Sequence, residues 1–132
     1  MTENKIKVLT GKIGLDDHYR GIISVTEAFR DSGMEVVYLG TGRRVNEVVA
    51  TALEEDVDVI GLSFLCGGHV EIMRRFMNRL HEQGLGSVLV VVGGIIPDQD
   101  IPELRNMGIA EVFLPGTKLE NIVKFVFDKK GG

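Results

Sequence analysis

The sequence predicts one doubly wound α/β domain built on a five-stranded parallel sheet with helices on both faces. Five short runs rich in β-branched residues alternate with five stretches whose apolar residues recur at helical spacing, giving the order βαβαβαβαβα. Strands that are apolar on both faces and separated by helices pair in parallel through right-handed crossovers. A chain of 132 residues is the length of one domain.

The strands are expected at residues 6–9, 36–39, 57–63, 88–93 and 110–114. The helical stripes lie between them, the first formed by Ile22, Val25, Ala28 and Phe29 and the last by Leu119, Ile122, Val123, Val126 and Phe127. Gly33, Gly84 and Gly108 stand where helices should end. We therefore predict a flavodoxin-like domain with strand order 2-1-3-4-5. It spans residues 1–132, with a core of about 5–127 and a flexible tail at 128–132.

Composition excludes several classes of protein. Apolar residues make up 44% and charged residues 26%, which is ordinary for a soluble globular chain. The net charge of −4 argues against sequence-independent nucleic-acid binding. The apolar runs are too short to span a membrane, and residues 1–5 contain no apolar signal core. The single cysteine, Cys66, cannot form an internal disulfide. These features predict a cytoplasmic protein with no nucleic-acid or membrane partner.

The loop after the first strand carries the most suggestive polar residues. In parallel α/β sheets, ligands bind beyond the carboxyl ends of the strands. Asp16 and His18 are two residues apart, so an extended backbone places both side chains on one face. A carboxylate on the second imidazole nitrogen fixes the tautomer of a metal-binding histidine, and Lys12 could place a cation near the pair. The alternative is a surface loop with acidic residues at a helix N-terminus.

Other candidate sites have weaker support. A mononuclear zinc or iron site needs two or three more ligands than the sequence places near His18. Cys66 and His69 follow the third strand, but two such residues alone define neither a metal site nor a nucleophile pair. Gly40-Thr41-Gly42 lacks the third glycine of a dinucleotide fingerprint and follows strand two.

Three loops at one edge of the predicted sheet form a single pattern. Asp16-x-His18-x-x-Gly21 follows strand one, Ser63-x-Leu65 ends strand three, and Gly93-Gly94 ends strand four. Glycine lets a bulky group approach the backbone closely, and a serine in an apolar strand offers one hydroxyl. The pattern indicates one histidine for a metal already held in a large cofactor, beside a narrow apolar slot.

This pattern resembles the cobalamin-binding domain of the adenosylcobalamin-dependent mutases. Asp-x-His-x-x-Gly, Ser-x-Leu and Gly-Gly are that family's motifs, and the resemblance covers about residues 5–127. It looks closest to the acyl-CoA mutases of the methylmalonyl-CoA and isobutyryl-CoA type. The supporting stretches are Lys12-Ile13-Gly14, Gly93 to Asp100 and Pro115-Gly116-Thr117.

The resemblance implies roles for individual residues. His18 would replace the cofactor's dimethylbenzimidazole as the lower cobalt ligand, Asp16 would accept its other N–H, and Lys12 would extend this chain of hydrogen bonds. The displaced nucleotide tail would enter the slot beside strand three, where Ser63 would hydrogen-bond the benzimidazole. The remaining residues implied to contact the cofactor or close the tail pocket are Tyr19, Arg20, Gly21, Leu65, Gly67, Gly93, Gly94, Gly116 and Thr117, with His69 at the pocket rim.

The resemblance also implies a partner. In this family the substrate site belongs to a (β/α)₈ barrel, and 132 residues fall well short of that fold. The chain is therefore expected to be the small subunit of a split mutase that binds cobalamin but does not turn over alone. Alternatives are an amino-acid mutase subunit of the glutamate type and a cobalamin carrier or sensor. Asp17, Tyr19 and Cys66 depart from the usual acyl-CoA mutase pattern, and their role is left open.

Overall fold

The computed structural model describes residues 5–13, 20–64 and 69–130. Of Arg20 it describes only the backbone. All strand pairs are parallel and the sheet order is β2-β1-β3-β4-β5, as predicted. The strands are β1 Lys7–Gly11, β2 Glu35–Tyr38, β3 Val59–Phe64, β4 Leu89–Gly94 and β5 Glu111–Phe113. Their ends differ from the predicted ends by one or two residues because backbone pairing, not apolar character, sets where a strand stops.

Five helices cover the sheet in two layers. They are α1 Arg20–Asp31, α2 Val45–Glu55, α3 His69–Glu82, α4 Ile101–Asn106 and α5 Leu119–Lys130. Helices α1 and α5 pack together on one face, and α2, α3 and α4 pack on the other. Within the described residues, no helix has the length and apolar character needed to cross a membrane.

The helix ends follow from local chemistry. Gly33, Gly84 and Gly108 have φ values of +96°, +76° and +106°, which confirms them as left-handed glycines after α1, α3 and α4. The apolar stripe does not define the residue at which α2 begins. The Arg44 N–H donates to Glu47 Oε1 at 2.9 Å and so caps this helix at its start. Helix α5 continues to Lys130, so the chain is helical beyond the expected core boundary at residue 127.

Side chains of alternating strand residues fill the two layers separately. The larger core cluster lies between the sheet and α2, α3 and α4, and it includes Ile60, Leu62, Phe76 and Val92. The smaller one lies under α1 and α5 near the amino ends of the strands, and it includes Val8, Phe29, Val59, Ile122 and Val126. The carboxyl half of this second face is therefore left for something other than core packing.

Candidate functional site

A cavity of about 690 Å³ occupies the carboxyl half of the α1/α5 face. It is open to solvent, and Ile95, Leu114 and Leu119 form an exposed apolar rim around it. Exposed apolar residues grouped around an opening are typical of a binding site. The remaining lining residues are Lys12, Gly21, Ile22, Ser24, Val25, Phe29, Gly61, Leu62, Ser63, Phe64, Val91, Val92, Gly93, Gly94, Phe113, Pro115, Gly116, Thr117 and Ile122.

The cavity exists because side chains on one face of β3 and β4 become smaller toward the carboxyl ends. Along β3 the residues on this face are Val59, Gly61 and Ser63. Their register partners on β4 are Leu89, Val91 and Gly93. Since alternate residues point to the same face, this series removes volume from the α1/α5 face and leaves the other unchanged. The strands thus create a slot without weakening the opposite core.

Gly93 and Gly94 contribute to this site in different ways. A Cβ added to Gly93 would meet only the Phe113 carbonyl oxygen at 3.5 Å, which is an ordinary contact, so its absence enlarges the cavity. Gly94 has φ +128°, and a Cβ there would lie 1.7 Å from the Phe64 carbonyl oxygen. The backbone itself therefore requires glycine at this position, and the predicted packing of Gly94 against a ligand remains a prediction.

A buried lysine lies at the inner end of the cavity. Lys12 is 1% exposed, and its Nζ donates to the Ser63 carbonyl oxygen at 3.3 Å and lies 3.5 Å from Ser63 Oγ. A buried ammonium needs several polar partners, and Lys12 makes a further interaction besides these two. Because Ser63 Oγ can accept from Lys12, its own proton remains available to a ligand in the cavity. Lys12 and Ser63 together provide a polar end to an apolar slot.

The turn after β5 forms another wall. Thr117 N donates to the Leu114 carbonyl oxygen at 3.1 Å, and Thr117 Oγ1 donates to the same oxygen at 2.6 Å. Gly116 has φ +92°, a left-handed conformation that favours glycine. These contacts fix a tight turn between β5 and α5 beside the opening.

Seven of the predicted site residues line this one cavity, whereas His69, which was expected at its rim, does not. These seven residues come from four separate parts of the chain: Lys12, Gly21, Ser63, Gly93, Gly94, Gly116 and Thr117. Asp16, His18, Tyr19, Leu65 and Gly67 lie outside the described residues, and Arg20 begins α1. The predicted chain from Lys12 to Asp16 therefore remains a prediction.

Sequence reasoning missed the helical walls of the cavity. Five residues of the predicted apolar stripes line the cavity: Ile22, Val25 and Phe29 of α1, and Leu119 and Ile122 of α5. Phe29 and Ile122 also belong to the smaller core cluster. An apolar stripe has the same spacing whether it faces a core or a ligand. The change from Val59 to the small residues Gly61 and Ser63 along β3 is the signal that could have separated the two.

His69 is not on the rim of this cavity. It is 6% exposed, and its Nε2 lies 2.9 Å from Asp100 Oδ2. The ring lies 6.4 Å from that of Phe64, centroid to centroid, and pairs with Asp100, which is distant in sequence. The sequence signals neither contact. His81 is exposed, as expected, with Nδ1 2.8 Å from the Met77 carbonyl oxygen.

The described part of the site is suited to holding a large organic group and not, by itself, a metal ion. Within residues 5–13, 20–64 and 69–130, no three histidine, cysteine or carboxylate side chains are grouped as metal ligands. The slot instead offers apolar walls, a space that a Cβ at Gly93 would enter, and the Ser63 hydroxyl. These features fit the flat nucleotide base of a tailed cofactor.

Comparison with known proteins defines the class. The family model of the B12 binding domain matches residues 6–123, and this chain belongs to that family. A cobalamin-binding protein from Desulfitobacterium hafniense shares the fold, with a TM-score of 0.81 and 22% identity, over 94% of this chain and 58% of that one.

Two relatives narrow the relationship further. The 2-hydroxyisobutanoyl-CoA mutase small subunit of Aquincola tertiaricarbonis is 42% identical over 93% of this chain and 90% of that subunit. The pivalyl-CoA mutase small subunit of Xanthobacter autotrophicus is 46% identical over 92% of this chain and 81% of that subunit. This chain is therefore similar over nearly its full length to small subunits of acyl-CoA mutases.

Proposed function

We propose that this chain is the cobalamin-binding small subunit of an adenosylcobalamin-dependent acyl-CoA carbon-skeleton mutase, an isomerase acting in the cytoplasm. One observation carries the proposal: the predicted motif residues that the structure describes line one cavity at the carboxyl edge. The small-subunit relatives favour the acyl-CoA branch over an amino-acid mutase subunit or a free-standing carrier.

In this proposal the nucleotide tail of the cofactor occupies the cavity. The Ser63 hydroxyl donates to the unprotonated benzimidazole nitrogen, while Lys12 donates to the Ser63 carbonyl oxygen and keeps the end of β3 in place. The base packs beside Gly93, and the α1 and α5 side chains exclude water from it. Gly116 and Thr117 hold the turn that closes the outer side, and Leu65 and Gly67 complete the pocket.

His18 would hold the cobalt of the cofactor in place of the benzimidazole. Asp16 accepts the other imidazole N–H and so holds the ring in the orientation that a metal ligand needs. Tyr19 directly precedes α1, and Arg20 and Gly21 are the first residues of that helix, where Gly21 borders the cavity. In this proposal all three contact the cofactor. When bound, adenosylcobalamin supplies the radical chemistry, and the protein supplies binding and orientation.

The substrate is held by a separate large subunit, which we propose to be a (β/α)₈ barrel in a hetero-oligomer with this chain. The small subunit alone binds cobalamin without turnover. Titration calorimetry of the cobalamin-loaded chain with acyl-CoA esters tests this division: we expect no saturable binding, and clear binding would contradict it.

The ligand assignment is tested by electron paramagnetic resonance of the cob(II)alamin complex. With nitrogen-15 histidine in the protein, we expect the axial nitrogen splitting to change from that of nitrogen-14 to that of nitrogen-15. His18→Gln should abolish the labelled signal, whereas the control His81→Gln, on the exposed side of α3, should retain it. An unchanged nitrogen-14 pattern in the labelled wild type would show that benzimidazole remains on cobalt.

A further inference from the structure

A second, basic groove lies on the opposite face of the sheet, between the start of α2 and the exposed side of α3. Its volume is about 570 Å³. Four arginines and one glutamate line it, giving a local charge of +3 in a chain whose total is −4. The lining residues are Ile13, Arg43, Arg44, Val45, Asn46, Ile72, Arg75, Asn78, Arg79 and Glu82.

The groove is joined by backbone contacts to the segment that leads to His18. Arg43 N donates to the Lys12 carbonyl oxygen at 3.1 Å, and Lys12 N donates to the Gly40 carbonyl oxygen at 2.9 Å. Ile13, the residue directly before residues 14–19, forms a parallel bridge with Arg43. The basic groove therefore belongs to the same carboxyl edge as the proposed cobalt-binding segment.

Two of the arginines carry charge that the described chain does not neutralise. Arg79 donates to Asn46 Oδ1 at 3.1 Å and pairs with Glu82 at 3.0 Å, and Arg43 pairs with Glu47 at 3.7 Å. Arg44 and Arg75 are exposed, and neither forms an ion pair with any described residue. Unpaired arginines concentrated on one face of an acidic protein create a local positive field that attracts an acidic partner.

The form of the groove favours a macromolecular surface over a small phosphate. A phosphate site is usually built on free N–H groups at a helix N-terminus. Here the Glu47 carboxylate already accepts the Arg44 N–H at the start of α2, and it would repel an anion placed there. Arg43 and Arg44 directly precede α2, and Arg75 and Arg79 lie one turn apart on α3, so the four guanidinium groups come from two elements, which suits several carboxylates on a protein surface.

We propose that this arginine groove is the electrostatic docking surface for an acidic face of the mutase large subunit. The inference rests on the proposed function, because the large subunit must approach the carboxyl edge of the sheet to reach the cofactor. The groove lies outside the cofactor cavity, on the other face of the sheet. Docking here would leave the tail pocket undisturbed.

The test compares Arg75→Glu with Arg30→Glu. Both residues are exposed helical arginines with no ion pair among the described residues, but Arg30 lies on α1. The association rate of each cobalamin-loaded variant with the immobilised large subunit is measured by surface plasmon resonance. At 50 mM salt, we expect Arg75→Glu to associate about tenfold more slowly than wild type, because electrostatic steering changes association rates by about 10–1000-fold. The difference should vanish at 500 mM salt, and Arg30→Glu should match wild type.

The outcomes separate this inference from the proposed function. Cobalamin affinity of Arg75→Glu should equal that of wild type, because the cofactor uses the other face. If wild type binds the large subunit and Arg75→Glu binds it at the same rate, the docking surface is overturned and the proposed function is not. Arg75-dependent binding of tripolyphosphate without any effect on assembly would also overturn it, by identifying a small-anion site. Failure of the wild-type chain to bind cobalamin or the large subunit would overturn both proposals.

Discussion

The two faces of the sheet use the same strands for opposite purposes. Toward α2, α3 and α4, large residues such as Ile60, Leu62 and Val92 continue to the carboxyl edge and are buried throughout. Toward α1 and α5, large residues occur only at the amino end, and Gly61 and Ser63 replace them further along. One face is a continuous core, and the other is half core and half cavity.

This difference shows how a small domain can tolerate a large hollow. Residues that line a void lose packing partners, and each lost contact reduces stability. Confining the hollow to one half of one face leaves the larger cluster intact to stabilise the fold. The exposed rim of Ile95, Leu114 and Leu119 marks where a ligand would restore the missing contacts.

The largest effect is expected from Gly94→Ala, which should destabilise the apoprotein severely. The added Cβ would lie 1.7 Å from the Phe64 carbonyl oxygen, so the end of β4 must move. We expect a loss of at least about 3 kcal/mol of unfolding free energy, as for strained left-handed positions with a steric clash. Urea denaturation measures it, with Gly93→Ala as the control that should change stability by less than about 1 kcal/mol. Equal effects would mean that the two glycines have the same role.

The second prediction concerns the cavity itself. Gly93→Val places a branched side chain in the slot beside Ser63, where the Cβ meets only the Phe113 carbonyl oxygen at 3.5 Å. Cobalamin affinity should fall by about 10–100-fold, since forcing extra carbons into an occupied space costs about 1–3 kcal/mol. Gly93→Ala should give a smaller loss, and both variants should unfold near the wild-type urea midpoint. Wild-type affinity in folded Gly93→Val would place the nucleotide tail elsewhere.

Much of this architecture could be predicted from the sequence because it depends on local patterns. Alternating strand and helix periodicities specify the parallel order, and glycines such as Gly33 and Gly84 mark where helices end. Loops at the ends of β1, β3 and β4 must meet at one edge once the topology is known. That is why Lys12 and Ser63 could be assigned to one site before their contact was seen.

The rest depends on contacts between residues that are distant in sequence. His69 is buried because Asp100, 31 residues later, pairs with it, and no local pattern signals that pairing. The requirement for glycine at Gly94 comes from the approach of the Phe64 backbone. Apolar residues of α1 border a cavity as well as a core because the facing strand residues Gly61 and Ser63 are small. Such effects appear only when the two segments are placed side by side.

The third prediction uses adjacent valines on opposite faces of β4. Both border the cavity, but Val92 belongs to the larger core cluster, whereas Val91 belongs to neither core cluster. Val92→Ala should lower the free energy of unfolding by about 2 kcal/mol, because each of the two buried methyl groups contributes about 0.8 kcal/mol and the space left behind adds a further loss. Val91→Ala should lower the free energy of unfolding by about half as much, because the Val91 side chain lacks packing partners on the side that faces the cavity. Equal urea midpoints would show that the two faces are packed equally well, and saturation with cobalamin should increase the effect of Val91→Ala only.

The smallest effect is expected from a buried hydroxyl pair that is found on the cavity face. Thr26 Oγ1 donates to the Ile22 carbonyl oxygen at 2.6 Å, so it accepts from Thr10 Oγ1 at 2.7 Å. Both threonines are nearly inaccessible, and their hydrogen bond ties β1 to α1 on either side of residues 14–19.

Thr26→Val keeps the shape and the β-branching but leaves the Thr10 hydroxyl without an acceptor, which should cost about 1 kcal/mol. Thr10→Val combined with Thr26→Val removes both polar groups and should recover much of that loss, since an apolar pair of the same shape leaves no unsatisfied donor. A double-mutant cycle from urea unfolding measures the coupling. If the two losses simply add, the hydroxyls act independently, and the contact between β1 and α1 on the cavity face depends on apolar packing alone.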